Sequence, residues 1–318
     1  MSDSPLVSII MPAYNAARTI VEAVNSALAQ TYPHIEVVIV DDGSTDKTLA
    51  ILRGRYGGDA RVTVVKQANG GPASARNHAL RLARGDWVQF LDSDDRLRPS
   101  KVARSLERLA EVPGAAVAYG AAHIINQDGT PAPDWNFPIF PSGDVFCEWI
   151  TGAMANGSYG VLPSFMARRE AIDSVGGFDE GIIGSEDWDL WVKLAARYPF
   201  AALNEKLVDY RDHPAGLHRN RVKMALARLK VIQNARQNPR AGECLSPNGW
   251  DKLEAGRWHV LALAQWSAGQ RVEARQSFDM AQKLTPSRLR AAYRTMSYAL
   301  PESAAAWIDS VIRRFGSK

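Results

Sequence analysis

Ile35-Glu36-Val37-Val38-Ile39-Val40 runs without a break into Asp41-Asp42-Gly43-Ser44. A short, β-branched apolar run reads as a buried strand. The acidic stretch after it, with a glycine to turn on, reads as a strand-to-helix turn with Ser44 as N-cap of the following helix. The same grammar repeats on either side. Leu6–Met11, Arg61–Val65 and Trp87–Leu91 are the other strand candidates, and helical stretches near Ala16–Gln30, Thr45–Arg55 and Pro72–Arg84 separate them. Pro72 suits a first-turn position. Strand–helix–strand alternation at this spacing implies parallel pairing and an α/β fold with helices on both faces of the sheet.

That topology says where chemistry belongs. Ligands of open α/β sheets bind outside the carboxyl ends of the strands. The residues there are Pro12-Ala13-Tyr14-Asn15, Asp41-Asp42-Gly43-Ser44 and Asp92-Ser93-Asp94-Asp95. Two carboxylates one residue apart, Asp92 and Asp94, suit a hard divalent cation, which takes few protein ligands and fills the rest of its shell with water and phosphate. Such a cation neutralises charge on a departing diphosphate. Taken alone, Asp-x-Asp is a weak signal, and a solvated turn is the better reading of it. A third acidic group, Glu186-Asp187-Trp188-Asp189-Leu190-Trp191, reads as a helix start. Its tryptophans anchor it in apolar surroundings, and a carboxylate beside them can act as general base on a sugar hydroxyl. An acidic first turn complementing the helix dipole is the plainer reading.

Beyond residue 100 the pattern loosens. A helix near Pro99–Glu111 and strands near Ala115–Tyr119 and Pro163–Ala167 flank a Pro- and aromatic-rich excursion, Gly129–Gly143. Trp135, Phe137 and Tyr159 can stack on sugar rings or simply fill a core. From 219 onward the chain reads as helical, with Val222, Leu226, Leu229 and Ile232 at helical spacing.

Several stretches together resemble the family 2 glycosyltransferases, inverting enzymes of the GT-A fold. They are Ser8–Asn15, Val40–Asp46, Ala75-Arg76-Asn77, Gly85-Asp86, Phe90–Asp95, Gly176-Gly177-Phe178-Asp179-Glu180, Glu186–Trp191 and Tyr210-Arg211-Asp212-His213-Pro214. They fall in the family's order over residues 5–215. The resemblance implies a Rossmann-like mixed sheet and a set of roles. Pro12, Tyr14, Asn15 and Asp42 would line the nucleotide pocket, with Asp42 on the base, usually uracil. Arg76 would reach the base or its phosphates. Asp92, with neighbouring Ser93, would lie on the ribose side. Asp94, with His213, would hold Mn²⁺ or Mg²⁺. Asp187 would be the catalytic base, supported by Glu186. The donor would be a nucleoside-diphosphate sugar, probed best as a UDP-sugar, and the acceptor a glycan or lipid-linked hydroxyl in polysaccharide or glycoconjugate synthesis.

Rival classes fare worse. A sugar-phosphate nucleotidyltransferase would want a Gly-rich basic loop after the first strand, and a dinucleotide-binding dehydrogenase a Gly-x-Gly-x-x-Gly. A non-catalytic nucleotide-sugar-binding or scaffold protein is opposed by the intact Asp94 and Asp187.

Charge divides the chain. Residues 1–218 hold 20 basic and 27 acidic residues, and residues 219–318 hold 18 and 7, closing to the net +4. The expected organisation is a catalytic domain over 1–218 and a basic helical region over 219–318. Within the latter, Trp258, Leu261, Ala262, Gly269, Ala274, Phe278, Ala281 and Pro286 have the spacing of a tetratricopeptide-like helix pair near 256–287. Basic residues flanking an apolar stripe suit an anionic membrane surface or an anionic acceptor. No recognition motif supports nucleic-acid binding. Two cysteines, Cys147 and Cys244, far apart and without metal spacing, exclude a disulfide framework or zinc finger and make a reducing compartment the default. No apolar run reaches the ~18 residues of a membrane span, and the N-terminus lacks a signal-peptide pattern. A cytoplasmic protein, peripheral at the inner membrane face if anywhere, is the expectation.

Overall fold

The structure, a computed structural model, describes residues 4–133, 141–156 (side chains only to 151), 161–212 and 220–287, with 291 and 295. The chain divides into two compact units: Met1–Gly181 with Glu186–Pro214, and Ile182–Ser185 with Ala215–Lys318.

The first unit is built on an eight-stranded mixed sheet. Its strands are β1 (Val7–Ala13), β2 (Ile35–Asp41), β3 (Val62–Lys66), β4 (Trp87–Phe90), β5 (Arg96–Leu97), β6 (Val117–Ile125), β7 (Met166–Arg168) and β8 (Phe200–Arg211). They lie in the order β3-β2-β1-β4-β7-β6-β8-β5. The four strands read from the alternation pair in parallel. β7 then runs antiparallel to both β4 and β6, and β8 lies parallel to β6. β5 and the length of β8 had no signal in the sequence. In β8 the consecutive polar residues Asn204-Glu205-Lys206 interrupt the apolar ones, so the stretch reads as surface until its neighbours are known.

Helices α1 (Ile20–Leu28), α2 (Thr48–Tyr56), α3 (Pro72–Leu82) and α4 (Lys101–Glu111) cross between strands. Pro72 does open α3. Ser44 does not cap α2, which begins at Thr48 after Lys47 with no side-chain cap. The Ser44 hydroxyl accepts instead from the Asn15 amide at 3.0 Å. The core under the sheet is apolar and closed: Ile9, Met11, Val37, Ile39 and Leu52 have no exposed surface. Further along come α5 (Phe146–Asn156), α6 (Arg169–Ser174) and α7 (Glu186–Ala195).

Register places the acidic turns side by side. Ala13 is level with Asp41 across β1 and β2, and Ile10 with Phe90 across β1 and β4. The Asp42 amide donates to the Ala13 carbonyl, and the Leu91 amide to that of Ile10. Parallel strands therefore deliver residues 14–15, 42–46 and 92–95 to one edge, as the topology rule requires.

The second unit contains α8 (Arg221–Arg236), α9 (Ala241–Cys244), α10 (Pro247–Ser267) and α11 (Arg271–Leu284). Asn220 caps α8 by accepting from the Lys223 amide, and Ser246 caps α10 by accepting from that of Gly249. Helices α10 and α11 turn at Gly269 (φ 78°), with Leu261, Ala262, Ala274, Phe278 and Ala281 buried. Leu226, read as part of the apolar stripe of α8, is instead 47% exposed. Arg236 joins α8 to α10 through Asp251 and Glu254 at 2.7 and 2.9 Å. Neither Cys147 nor Cys244 is a free thiol, so their state does not support the reducing compartment that their small number suggested. No helix among the described residues is long and apolar enough to cross a membrane.

Candidate active site

The site begins with a buried guanidinium. Arg76, on α3, is 6% exposed. It donates through Nη2 to Asp92 Oδ1 and through Nη1 to Glu186 Oε1, both at 2.7 Å. Its charge also lies 5.5 Å from the Phe178 ring centroid. Two carboxylates hold the arginine well above its ordinary pKa despite burial. Expected on the base or its phosphates, Arg76 is here the tie between the β4 turn and the start of α7.

The three acids of α7 then separate by partner. Glu186 pairs with Arg76. Asp189, buried, pairs with Lys193 one turn on, at 2.5 Å. Asp187 accepts from the Trp188 amide and, among the described residues, forms no ion pair. Its carboxyl is pushed up to about 7, first by desolvation and then by the charge of Glu186, with Arg76 opposing. A carboxylate poised there is suited to take a proton near neutrality. Trp188 and Trp191 are both buried, so they anchor rather than stack on ligand. The Trp188 indole donates to the Trp149 carbonyl at 3.2 Å, and Trp191 stacks on Phe165 at 4.2 Å. Trp135, Phe137 and Tyr159 lie outside the described residues.

The β4 turn is held from β8. Arg211 donates its amide to Asp95 Oδ1 at 2.7 Å and its Nε to the Asp94 carbonyl at 2.8 Å. The Ser93 carbonyl accepts from the Thr19 hydroxyl at 2.9 Å. Among the described residues, Asp95 Oδ2 is buried with no donor. Desolvation, then Asp94 and Asp92, raise the Asp95 carboxyl well above its usual range. The Tyr210 phenol is raised as well, by burial and then by Asp95, Asp92, Asp94 and Asp187. Negative charge is thus concentrated at this turn. An orphaned carboxylate oxygen in such a field fits a small divalent cation. No group of three or more His, Cys, Asp or Glu able to hold a metal occurs among the described residues. One or two protein ligands with the rest from a bound diphosphate would match that set. His213 lies outside the described residues.

The other lobe of the edge is a hydrogen-bonded cradle. Asn15, at φ 49°, accepts through Oδ1 from the Thr45 amide at 2.8 Å and the Asp46 amide at 3.3 Å. The Asp42 carboxylate accepts from Gln67 Nε2 and from the Gly70 and Gly71 amides, each at 2.8 Å. Tyr14 is 52% exposed beside it, and Pro12 half-buried in β1. The structure therefore joins Arg76, Asp92 and Glu186 by direct bonds, and sets Asp187 in their field. Asp42 and Asn15 are held by hydrogen bonds of their own, Asp42 to residues 67–71 and Asn15 to residues 44–46.

Four residues gain roles that sequence reading did not assign. Asn77 grips the Gly176–Glu180 turn. Its Oδ1 accepts from the Phe178 amide at 3.0 Å, and its Nδ2 donates to the Phe178 carbonyl and to Glu180. Asn77, Tyr210 and Arg211 each stood inside a motif already quoted, and that was their signal. Gln67 had none.

The profile of Glycosyl transferase family 2 matches residues 8–171. The chondroitin synthase of Escherichia coli is 39% identical over 202 residues, 63% of this chain. The match spans only 28% of that much longer protein. Staphylococcus aureus TarS residues 1–349, solved with UDP-GlcNAc, superposes with a TM-score of 0.66 at 19% identity, covering 95% of this chain and 92% of that one. The mannosyltransferase PcManGT of Pyrobaculum calidifontis, solved with GDP-Man and Mn²⁺, gives 0.57 at 22% identity, over 100% of this chain and 89% of the other. At such identities the two structures establish the fold alone.

Proposed function

Because the chain belongs to glycosyl transferase family 2, we propose that it is a metal-dependent, inverting glycosyltransferase. It moves a sugar from a nucleoside-diphosphate donor, a UDP-sugar, to a hydroxyl of a glycan or lipid-linked acceptor in polysaccharide or glycoconjugate synthesis. The observation that carries the catalytic assignment is Asp187. Of the three acids opening α7, two are neutralised by cations, and the third has its carboxyl raised to about 7.

In this reading Asp187 takes the proton of the acceptor hydroxyl as that oxygen attacks the anomeric carbon. The new carbon–oxygen bond forms on the face opposite the donor phosphate, and the old bond's electron pair leaves with the nucleoside diphosphate. General-base assistance of this kind contributes roughly 10²–10⁴-fold. Arg76 fixes Glu186, and through it the start of α7, so that the Asp187 carboxylate is presented without a cation of its own. Asp42 holds the base, Asn15 shapes the neighbouring turn, and Asp92 lies toward the ribose. Asp94, with His213, would hold Mn²⁺ or Mg²⁺, which when bound neutralises charge on the leaving diphosphate. Arg211, bonded to the Asp94 carbonyl, orients that residue.

The second unit is proposed to give peripheral contact with an anionic surface at the inner membrane face. Lys223, Leu226 and Lys230 share an exposed face of α8, the pattern of a snorkelling interfacial helix.

The test is a turnover screen of UDP-, GDP- and dTDP-sugars against short glycan acceptors, with Mn²⁺ or with chelator. Release of nucleoside diphosphate only with metal, and its loss in Asp94→Ala, is the expected result. Metal-independent turnover, or full activity in Asp94→Ala, would overturn the metal assignment. No turnover with any donor would overturn the enzyme reading.

A further inference from the structure

A carboxylate has four lone-pair positions in its plane, two on each oxygen. Three of those on Asp42 are taken. Gln67 Nε2 and the Gly70 amide both donate to Oδ1, and the Gly71 amide donates to Oδ2. Oδ1 is full, and Oδ2 keeps one position. The residue is only 3% exposed, so no third donor can crowd onto Oδ1 from solvent.

The Gln67 side chain cannot turn its other end to Asp42. A carboxylate only accepts, so the amide nitrogen must face it. The amide oxygen then faces His78 Nδ1 at 2.8 Å, which fixes the proton of His78 on Nδ1. The loop beneath is seated as firmly. The Gln67 amide donates to the Asp41 carbonyl, and Asn69 Nδ2 to the Asp42 carbonyl. Gly43, at φ 74°, lets Asn69 come so close that a Cβ there would stand 3.0 Å from its amide nitrogen.

We propose that Gln67, held by His78, sets the base preference of this site. It fills the second position on Asp42 Oδ1 and leaves the carboxylate able to accept one N–H. This rests on the reading of Asp42 as the base-holding residue. Uracil presents a single donor, N3–H, between two carbonyl acceptors. Guanine presents N1–H and an exocyclic N2–H side by side, a pair that a carboxylate meets with both oxygens. With Oδ1 full, one guanine donor is left without an acceptor in a buried place. Such a loss is worth on the order of ten- to a hundredfold in affinity. The fold does not decide the point, since neighbours of this shape were solved with UDP-GlcNAc and with GDP-Man.

The experiment is calorimetric titration of the full chain with UDP and with GDP, both with Mn²⁺. The proteins are wild type, Gln67→Leu, His78→Leu, His78→Asn and Asp42→Asn, each checked by thermal melting. Wild type is expected to favour UDP by ten- to a hundredfold. Gln67→Leu should cut that ratio at least tenfold, chiefly by tightening GDP. His78→Leu should move it part of the way. His78→Asn, whose amide can replace the Nδ1–H donor, should keep it. A wild-type preference for GDP, or a Gln67→Leu ratio equal to wild type with UDP binding still dependent on Asp42, would overturn the role of Gln67. UDP affinity unchanged in Asp42→Asn would overturn the reading of Asp42 itself, and the inference with it. Should Gln67→Leu not fold, the contrast between His78→Leu and His78→Asn decides.

Discussion

Arg76 and Glu186 stand 110 residues apart in the chain and 2.7 Å apart in the fold, both with side chains under 10% exposed. The bond fastens the helix that follows the third strand to the helix that carries Asp187, the proposed base. Asp92 on the other arm of the guanidinium extends the same tie to the β4 turn.

Arg76→Met should therefore be costly twice over. It takes the guanidinium away from both Asp92 and Glu186 and puts a buried apolar group in its place, a loss of about 3–5 kcal/mol. Urea denaturation would show it as a lowered midpoint with little change in slope. Arg76→Lys should recover only part, because one ammonium cannot present the two-armed fork.

Asp187→Asn should lower turnover by roughly 10²–10⁴-fold while leaving nucleotide affinity unchanged. The sign of the pH dependence follows from the raised carboxyl. A base works only when deprotonated, so wild-type kcat/KM should fall about tenfold per pH unit below about 7. A rate flat down to pH 5 would remove Asp187 from the role.

Asn77→Ala removes both bonds to the Phe178 backbone and the one to Glu180. Leaving those groups unsatisfied should cost about 1–3 kcal/mol. Since Phe178 also faces Arg76, turnover should drop alongside stability. Thermal melting and kcat measured on one preparation would show whether they move together.

Gly85→Ala tests the opposite end of the sheet. A Cβ there would lie 2.6 Å from the Ser8 amide and 2.8 Å from the Leu6 carbonyl. The Gly85 amide also donates to the Ser8 hydroxyl, which in turn donates to Glu36. Overpacking against backbone should destabilise by about 1–3 kcal/mol. Differential scanning fluorimetry should register it, with the nucleotide affinity of the folded fraction unaltered.

Local sequence determined the four parallel strands, because each is a short β-branched run whose preference agrees with its neighbours. It also determined which residue types stand at their carboxyl ends, and so the edge on which the site is built. The order of motifs from Ser8 to Asp212 was enough to indicate the family. The antiparallel pairing of β7, whose strand was legible near Pro163–Ala167, and the two-residue β5 and long β8 were decided only in three dimensions, since each is stabilised by partners distant in the chain. Which of the α7 acids meets a cation was decided there too. Glu186, Asp187 and Asp189 are equivalent carboxylates on paper. Arg76 reaches one from another helix, Lys193 lies one turn from another, and the remaining one is left in a desolvated field that raises its pKa. The same holds for Asp42, which Gln67, Gly70 and Gly71 fill from a loop some twenty-five to thirty residues away. A carboxylate's identity is written in the chain, but its charge state and free lone pairs depend on which donors the fold brings within hydrogen-bonding distance.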